Sequence, residues 1–598
     1  MTDTPGLPAV APAVTAALIQ GLSPRLRKRL DAAAARLAAR PATRDGDTVR
    51  LAVDDDTQLE LAAPGGTVTT TDAIRCGCLL APDCLHRAAV AAAAPVADDD
   101  APPPPPAATP EPGGGPAPSE RAADDAEPVT PGQRAAATAL WTAGAAVLEA
   151  GTDGAGAFAQ AELLGAAHAA RLAGLHRPAA AAVATVTALR AARGADPAYR
   201  LADLTAALRE LLATAHGLAH AEGPPPAGLR GTARRPYVPG GSLRLYGLFT
   251  EPVLTGTGHA GAVTWTADAD GRLYTVPDVL PGGAARAASA ADRTVRLGDT
   301  ALTHRELSRA GLAVSGATVA PDGRLGAGSA VRAVRAAGAD WDDDPLGRLW
   351  DTPPGEQAAR ALAAAHRPAG SDLLFLDVTV TGPLAEPGGH VLAADCRGLP
   401  LRLAAADDHP ALAHRDNLRL LAAAPGLRLR IIGRLIPAAH PRLALLAAGR
   451  PPGAGPTLRA EGLRDRIDLG YDRLPRADLP DPPGPPRSPA GPGGGAEAPL
   501  HLLRRRTNQA VTAGRRTLAL PGSATTDAAR LRTSGLATGA DLVDELHRAA
   551  AHRALDGFGR LLPADPDRFA RAWLAVAEYT EAVAQALCAA AWSAPQET

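Results

Sequence analysis

Cys76-Gly77-Cys78-Leu79-Leu80-Ala81-Pro82-Asp83-Cys84-Leu85-His86 is the stretch around which the rest of the sequence is organised, because it alone carries side-chain chemistry that composition does not explain. Three of the chain's five cysteines fall inside it. A buried thiolate is costly unless a cation stands beside it, and three thiolates with an imidazole make the four-membered N/S set that suits tetrahedral Zn²⁺. One intervening residue in each pair lets both members reach the same ion, and Gly77 leaves the backbone of the first pair free to turn. From Leu85 through the alanines up to Pro95 the residues favour helix, so the second pair sits where a loop becomes a helix. Upstream, Thr48–Val53 and Gln58–Ala62 alternate as a hairpin about Asp54-Asp55-Asp56. The predicted order is strand, strand, paired thiolates, helix.

That pattern resembles the SWIM-type zinc finger, a C-x-C, variable loop, C-x-H module of two strands and a helix, over residues 45–95. The resemblance implies that Cys76, Cys78, Cys84 and His86 are the ligands of one structural Zn²⁺ per chain. With four protein ligands no position stays open for water or substrate, so the ion would stabilise a small fold and not catalyse. The resemblance also implies contacts with DNA or with other proteins. Leu85 and Gly77 stand where many relatives carry a lysine and a polar residue, which turns the expectation toward protein partners. Two other readings of the four residues stay open: buried cysteines beside a satisfied histidine, and a redox or disulfide role. Arg75 and Arg87 flank the ligands and could offset thiolate charge, or lie there by the abundance of arginine.

The chain has 598 residues, enough for several domains, and its net charge is −2 with a pI near 6.7. It has no electrostatic bias toward nucleic acid or anionic membrane as a whole. Lys28 is its only lysine, which excludes a P-loop, a Schiff-base enzyme and a kinase-type phosphate site. There is no basic segment leading into an apolar leader and no long uncharged apolar run, so the expected location is the cytoplasm with no membrane contact.

Taken in order, residues 1–95 read as two N-terminal helices, the second from Pro24 to Arg40, followed by the zinc module. Residues 96–132 are acidic and proline-rich, with five prolines from Pro102 to Pro106, and read as a disordered linker. Residues 133–222 show helical periodicity broken at Gly151–Gly154, at Pro178 and around Gly194–Pro197, which predicts a bundle of about four helices. His216 and His220 form an i, i+4 pair there, with surface histidines the simpler explanation. Residues 230–475 shift toward period two. Val263–Thr266 and Arg272–Val276 read as a hairpin across Asp268-Ala269-Asp270-Gly271, and Gly256-Thr257-Gly258-His259-Ala260-Gly261 leads into strand, against a dinucleotide loop. Five later strand-like segments with an excursion before Gly426 suit a small barrel of the OB type. Asp340, Asp342, Asp343 and Asp344 around Trp341 read as an exposed turn. Residues 476–499 form a second Pro/Gly linker, and residues 500–598 read as helical, with Arg504-Arg505-Arg506 and Arg515-Arg516 the densest positive patch.

No G-x-S-x-G or H-E-x-x-H is present, and Cys396 and Cys588 have no catalytic partner in the sequence. The expectation is an α+β multidomain, non-enzymatic protein: a small ββα zinc module, a helical domain, a β-rich middle and a helical C-terminal region, acting as a protein-interaction scaffold. The alternatives are a DNA- or RNA-binding protein using the zinc module with the arginine patches, and an enzyme of unknown class in the β-rich region.

Overall fold

A computed structural model describes residues 6–97, 127–197, 199–226, 228–232, 238–255, 258–298, 300–328, 331–363, 369–386, 389–459, 465–480, 498–520, 524–560, 562 and 565–593. The protein is multidomain α+β. It divides into two units, one of residues 1–234 and 499–580, the other of residues 235–498 and 581–598. Most of both expected linkers, residues 98–126 and 481–497, lies outside the described residues.

In the first unit the expected hairpin is present, with Leu51 opposite Leu59 and Val49 opposite Leu61. A two-stranded ribbon is marginal by itself, and the sheet extends beyond it. Ala42–Asp45 joins one side and Ile74–Cys76 the other, giving four antiparallel strands where the sequence pointed to two. Val49, Leu51, Leu59, Leu61 and Ile74 alternate onto one face and are buried with Ile19, Leu30, Leu37 and the alanines of the Leu85–Ala93 helix. Each of those aliphatic side chains contributes about 1.5–3 kcal/mol by leaving water. The helix expected from Pro24 to Arg40 breaks into Pro24–Arg27 and Leu30–Ala38. Arg27 turns back to donate to the carbonyls of Leu22 at 2.8 Å and Gln20 at 2.5 Å, and its guanidinium lies over Phe158.

The same unit holds four helices, Pro131–Gly154, Ala157–Leu172, His176–Arg193 and Leu201–Ala219. Thr130 and Gln133 close a capping box at the first. The break expected at Pro178 comes just before it, between the helix ending at Leu172 and the one starting at His176, and Pro178 itself interrupts nothing. It falls in the first turn of its helix, where its missing N–H is one that has no intrahelical partner anyway. Asp31 of the N-terminal segment caps the second helix, accepting from the Ala157 N–H at 2.9 Å. Leu500–Ala519 packs against Pro131–Gly154, and the two meet at Gly151 and Gly514, both with positive φ. A Cβ on Gly151 would lie 2.3 Å from the Gly514 nitrogen. Ala524–Thr533, Ala537–Ala551 and Pro566–Trp592 complete the helical C-terminal region; of Phe569, Trp573, Val576 and Tyr579, which stand at helical spacing, the first three are fully buried and Tyr579 is half-buried.

The second unit contains a five-stranded antiparallel sheet and a closed five-stranded barrel. The sheet runs Arg332–Ala336, Gly311–Val319, Val238–Leu254, His259–Ala267, Leu273–Pro281. Its last hairpin is the expected one, with Asp268 Oδ1 accepting from the N–H groups of Asp270 and Arg272, each at 2.9 Å. Gly258 and its successors enter strand as expected, while residues 256 and 257 lie outside the described set. The barrel is built from Leu373–Glu386, Gly389–Cys396, Leu399–Ala405, Arg428–Leu435 and Arg442–Gly449, and is closed by a parallel pairing of Leu399–Ala405 with Arg442–Gly449. The short strand Arg466–Asp468 extends it. Helix His414–Ala422 occupies the excursion before Gly426. Leu374, Leu376, Val378 and Val380 share one buried cluster with Leu401, Leu403, Ile431 and Leu443. Leu373 and Phe375, one position out of phase, join Leu248, Phe249, Trp265, Trp341 and Trp350 in another. Trp341 is thus buried, although the acidic residues about it form a turn with Asp344 paired to Arg348. Among the described residues no helix is long and apolar enough to cross a membrane.

Candidate metal centre

Cys76 ends strand Ile74–Cys76, opposite Leu59, and the next N–H, that of Gly77, donates to the Gln58 carbonyl at 3.0 Å. This pins the first pair to the rim of the sheet. Cys78 begins a turn closed by the Ala81 N–H on the Cys78 carbonyl at 3.1 Å. Cys84 is the N-cap of helix Leu85–Ala93, and His86 lies in its first turn. Strand end, knuckle and helix start therefore aim four side chains at one point. Their ligand atoms all lie within 4.8 Å of one another, and Cys76 Sγ is 3.7 Å from His86 Nδ1. Tetrahedral zinc, with Zn–S about 2.3 Å and Zn–N about 2.0 Å, sets its ligand atoms about 3.5–3.8 Å apart. The cluster fits such an ion once its widest separations, up to 4.8 Å, contract by about an ångström.

The electrostatics point the same way. Burial, aggravated by the neighbouring sulfurs, pushes the Cys76 thiol up to about 12 and raises Cys84 as well. Cys78 moves the other way: burial opposes its ionisation, but the backbone amides of Leu80 and Ala81 and the two neighbouring thiols stabilise its thiolate. Three sulfurs held this close resist shared ionisation unless a cation neutralises them.

Arg87 takes a role that sequence reasoning missed. It is buried, 5 % exposed, and its guanidinium donates to three carbonyls: Ile74 at 2.6 Å, Pro82 at 2.5 Å, and Thr71. These belong to the strand before Cys76, the loop between the ligand pairs, and the turn that leads into that strand. Arg87 thus ties the segments that carry the ligands, whereas Arg75 is exposed. An arginine directly after the last ligand was the only signal.

The other candidate residues go elsewhere. The rings of His216 and His220 stack at 4.3 Å, and His220 Nδ1 lies 3.0 Å from the His216 carbonyl. They gather no third ligand type, and the Cys/His quartet is the one such group among the described residues. Cys396 and Cys588 are buried in the apolar cluster of the second unit, where burial pushes the Cys396 thiol up to about 11. In the arginine patch, Arg506 is buried against Asp527 and Arg515 donates to the carbonyls of Ala549, Ala550 and His552. Arg505 also pairs with Asp527, at 2.7 Å.

The second unit adds a buried polar chain that no motif announced. Thr250 donates its hydroxyl to the His304 carbonyl at 3.0 Å, so the 2.9 Å contact between Thr264 and Thr250 has Thr264 as donor. His304 Nδ1, 2.7 Å from the Thr264 hydroxyl, must then donate, which leaves Nε2 a bare lone pair in the interior with no partner. Comparison of the chain with protein-family models, with curated proteins and with solved structures gave no match in any of the three.

Proposed function

We propose that this chain is a protein-interaction scaffold whose N-terminal part is a SWIM-type zinc module, with Cys76, Cys78, Cys84 and His86 holding one structural Zn²⁺. The observation that carries the reading is the convergence of four N/S ligand atoms within 4.8 Å at the meeting of a strand, a knuckle and a helix. A sheet of four short strands buries little surface, and a structural zinc can add folding free energy on the order of 10 kcal/mol. All four positions are taken by protein, so the ion's work is to fix the knuckle. Residues 45–95 carry eight carboxylates against three arginines, one of them the buried Arg87. Such a surface repels phosphate, which favours a protein partner. Elemental analysis of the purified chain beside Cys84→Ala tests the metal: about one zinc per chain in the wild type and a marked loss in the variant are expected. A metal-free wild type, prepared without chelator, would refute it.

One observation favours a second reading, nucleic-acid binding. With the barrel strands numbered in chain order, neighbours run 1-2-3-5-4-1 with a helix between the third and fourth, which resembles the OB type. The one aromatic side chain in those five strands, Phe375, is buried against Trp350 and is no stacking platform. Binding of single-stranded DNA whose log affinity falls linearly with log salt would support this reading.

A further inference from the structure

Leu79 is fully exposed and Leu80 is 68 % exposed, and they are the one adjacent pair of exposed large apolar side chains among the described residues. They sit at the tip of the knuckle between Cys78 and Cys84. A flexible loop would fold such residues inward or leave them averaging in water. This loop is fixed at both ends by the ligand cluster, across its base by the Ala81 to Cys78 turn, and from beneath by Arg87 on the Pro82 carbonyl. Two leucines are thus held outward by a rigid support, at an entropy cost already met on folding.

The surroundings say what they face. Cys76 pairs with Leu59, and Gly77 with Gln58, so strand register puts the hairpin turn that follows Ala52 at the same end of the sheet as the knuckle. That turn carries Asp54, Asp55 and Asp56, all three exposed. Asp83, exposed, lies on the knuckle itself; against these carboxylates stand the exposed Arg75 and, just before the strand that pairs with Leu51, the exposed Arg40. Arg50 does not alter the balance, since it is paired with both Asp45 and Glu60.

Resting on the zinc-module reading above, we propose that the Leu79–Leu80 knuckle with its rim of Asp54, Asp55, Asp56 and Asp83 is the docking surface for a basic segment of a partner protein, one that sets an apolar side chain between arginines or lysines. The leucines supply the contact that excludes water. The carboxylates supply orientation, a faster encounter and the rejection of acidic partners and of nucleic acid.

The test uses the full chain, zinc-loaded, to select from a library of random displayed peptides, beside the double variant Leu79→Ser/Leu80→Ser. Both substitutions are at exposed positions, and zinc content is measured on both proteins to confirm the site is intact. Selected peptides should place basic residues on both sides of an apolar one and should bind the double variant at least about tenfold more weakly. Asp83→Asn and Asp55→Asn should each weaken binding a few-fold, and raising salt from about 50 to about 500 mM should weaken it further. Peptides that bind wild type and double variant alike, peptides without basic character, or a selection that enriches nothing would overturn the proposal while leaving a zinc-loaded module intact. Absence of zinc from the wild type would instead sink the reading on which it rests.

Discussion

Arg87→Ala should unfasten the metal centre without touching a ligand. The side chain donates to the carbonyls of Ile74, Pro82 and Thr71, and it is buried, so its removal strands three acceptors at once. A hydrogen bond from a charged donor is worth about 1.5–3 kcal/mol, but Pro82 lies at the surface and water can replace part of its bond. A net loss of about 3–5 kcal/mol follows, falling on the loops that aim Cys76, Cys78 and Cys84. If metal binding and folding of the module are one event, that loss appears in the apparent zinc affinity as about two to four orders of magnitude. Competition against a chromophoric chelator at neutral pH reads it directly. Arg87→Lys should recover only a fraction, because a single ammonium cannot span three carbonyls as a planar guanidinium does. Arg75→Ala is the control: it removes the same charge from an exposed position and should change affinity by a few-fold at most. Equal effects of the two alanine variants would mean that arginine acts here by offsetting thiolate charge, and an unchanged affinity in Arg87→Ala would refute the clamp.

The second unit should be sensitive to acid. Burial holds the His304 and His414 imidazoles near 4, against about 6.5 unfolded. Both are neutral when folded, so the unfolded chain binds more protons and stability falls as pH drops from about 6.5 toward 4, by about 3 kcal/mol for each. Urea titrations at several pH values should show a shallower loss in His304→Gln than in wild type, and identical slopes would sink the assignment. In the first unit, Gly514→Ala forces a side chain onto a φ of +69° with its Cβ 2.5 Å from the Glu149 carbonyl oxygen. It should cost about 3 kcal/mol or more in thermal or denaturant unfolding, whereas Gly132→Ala, with open space around it, should be neutral within about 0.5 kcal/mol.

The convergence of Cys76, Cys78, Cys84 and His86 was legible because their chemistry is local: residue type and spacing within eleven residues decide which side chains can meet at one point. Arg87's part was not, since it depends on carbonyls of Thr71 and Ile74, which any sequence supplies and only the fold places. The barrel strands were legible for a similar reason. Leu374, Leu376, Val378 and Val380 fall on one face and Leu373 and Phe375 on the other, a period of two that any pleated strand obeys. Closure by the parallel pairing of Leu399–Ala405 with Arg442–Gly449 is a property of neighbours in space, and periodicity carries no trace of it. Likewise Gly151 and Gly514 read separately as weak points in two helices, and only together as the place where those helices touch.

Charge was the least legible quantity, and arginine explains why. A guanidinium is planar, offers five donors and sheds water more readily than an ammonium, so it can tie several carbonyls or one carboxylate inside a protein. Here Arg87 and Arg515 serve carbonyls, Arg506 serves Asp527, Arg430 grips Asp377 at 2.8 and 2.9 Å, and Arg434 grips Glu251 at 2.8 and 3.0 Å. In a chain with one lysine these internal ties draw on the same residue type that would otherwise build a phosphate-binding surface. The Arg504 to Arg516 run keeps only Arg504 and Arg516 as exposed arginines without an ion pair among the described residues. Two exposed arginines a helix-length apart neutralise too few phosphates to hold a duplex at ordinary salt. The acidic surface around the Cys/His cluster is then the more organised charged surface among the described residues of the first unit, which is why a basic protein segment is the partner proposed for it.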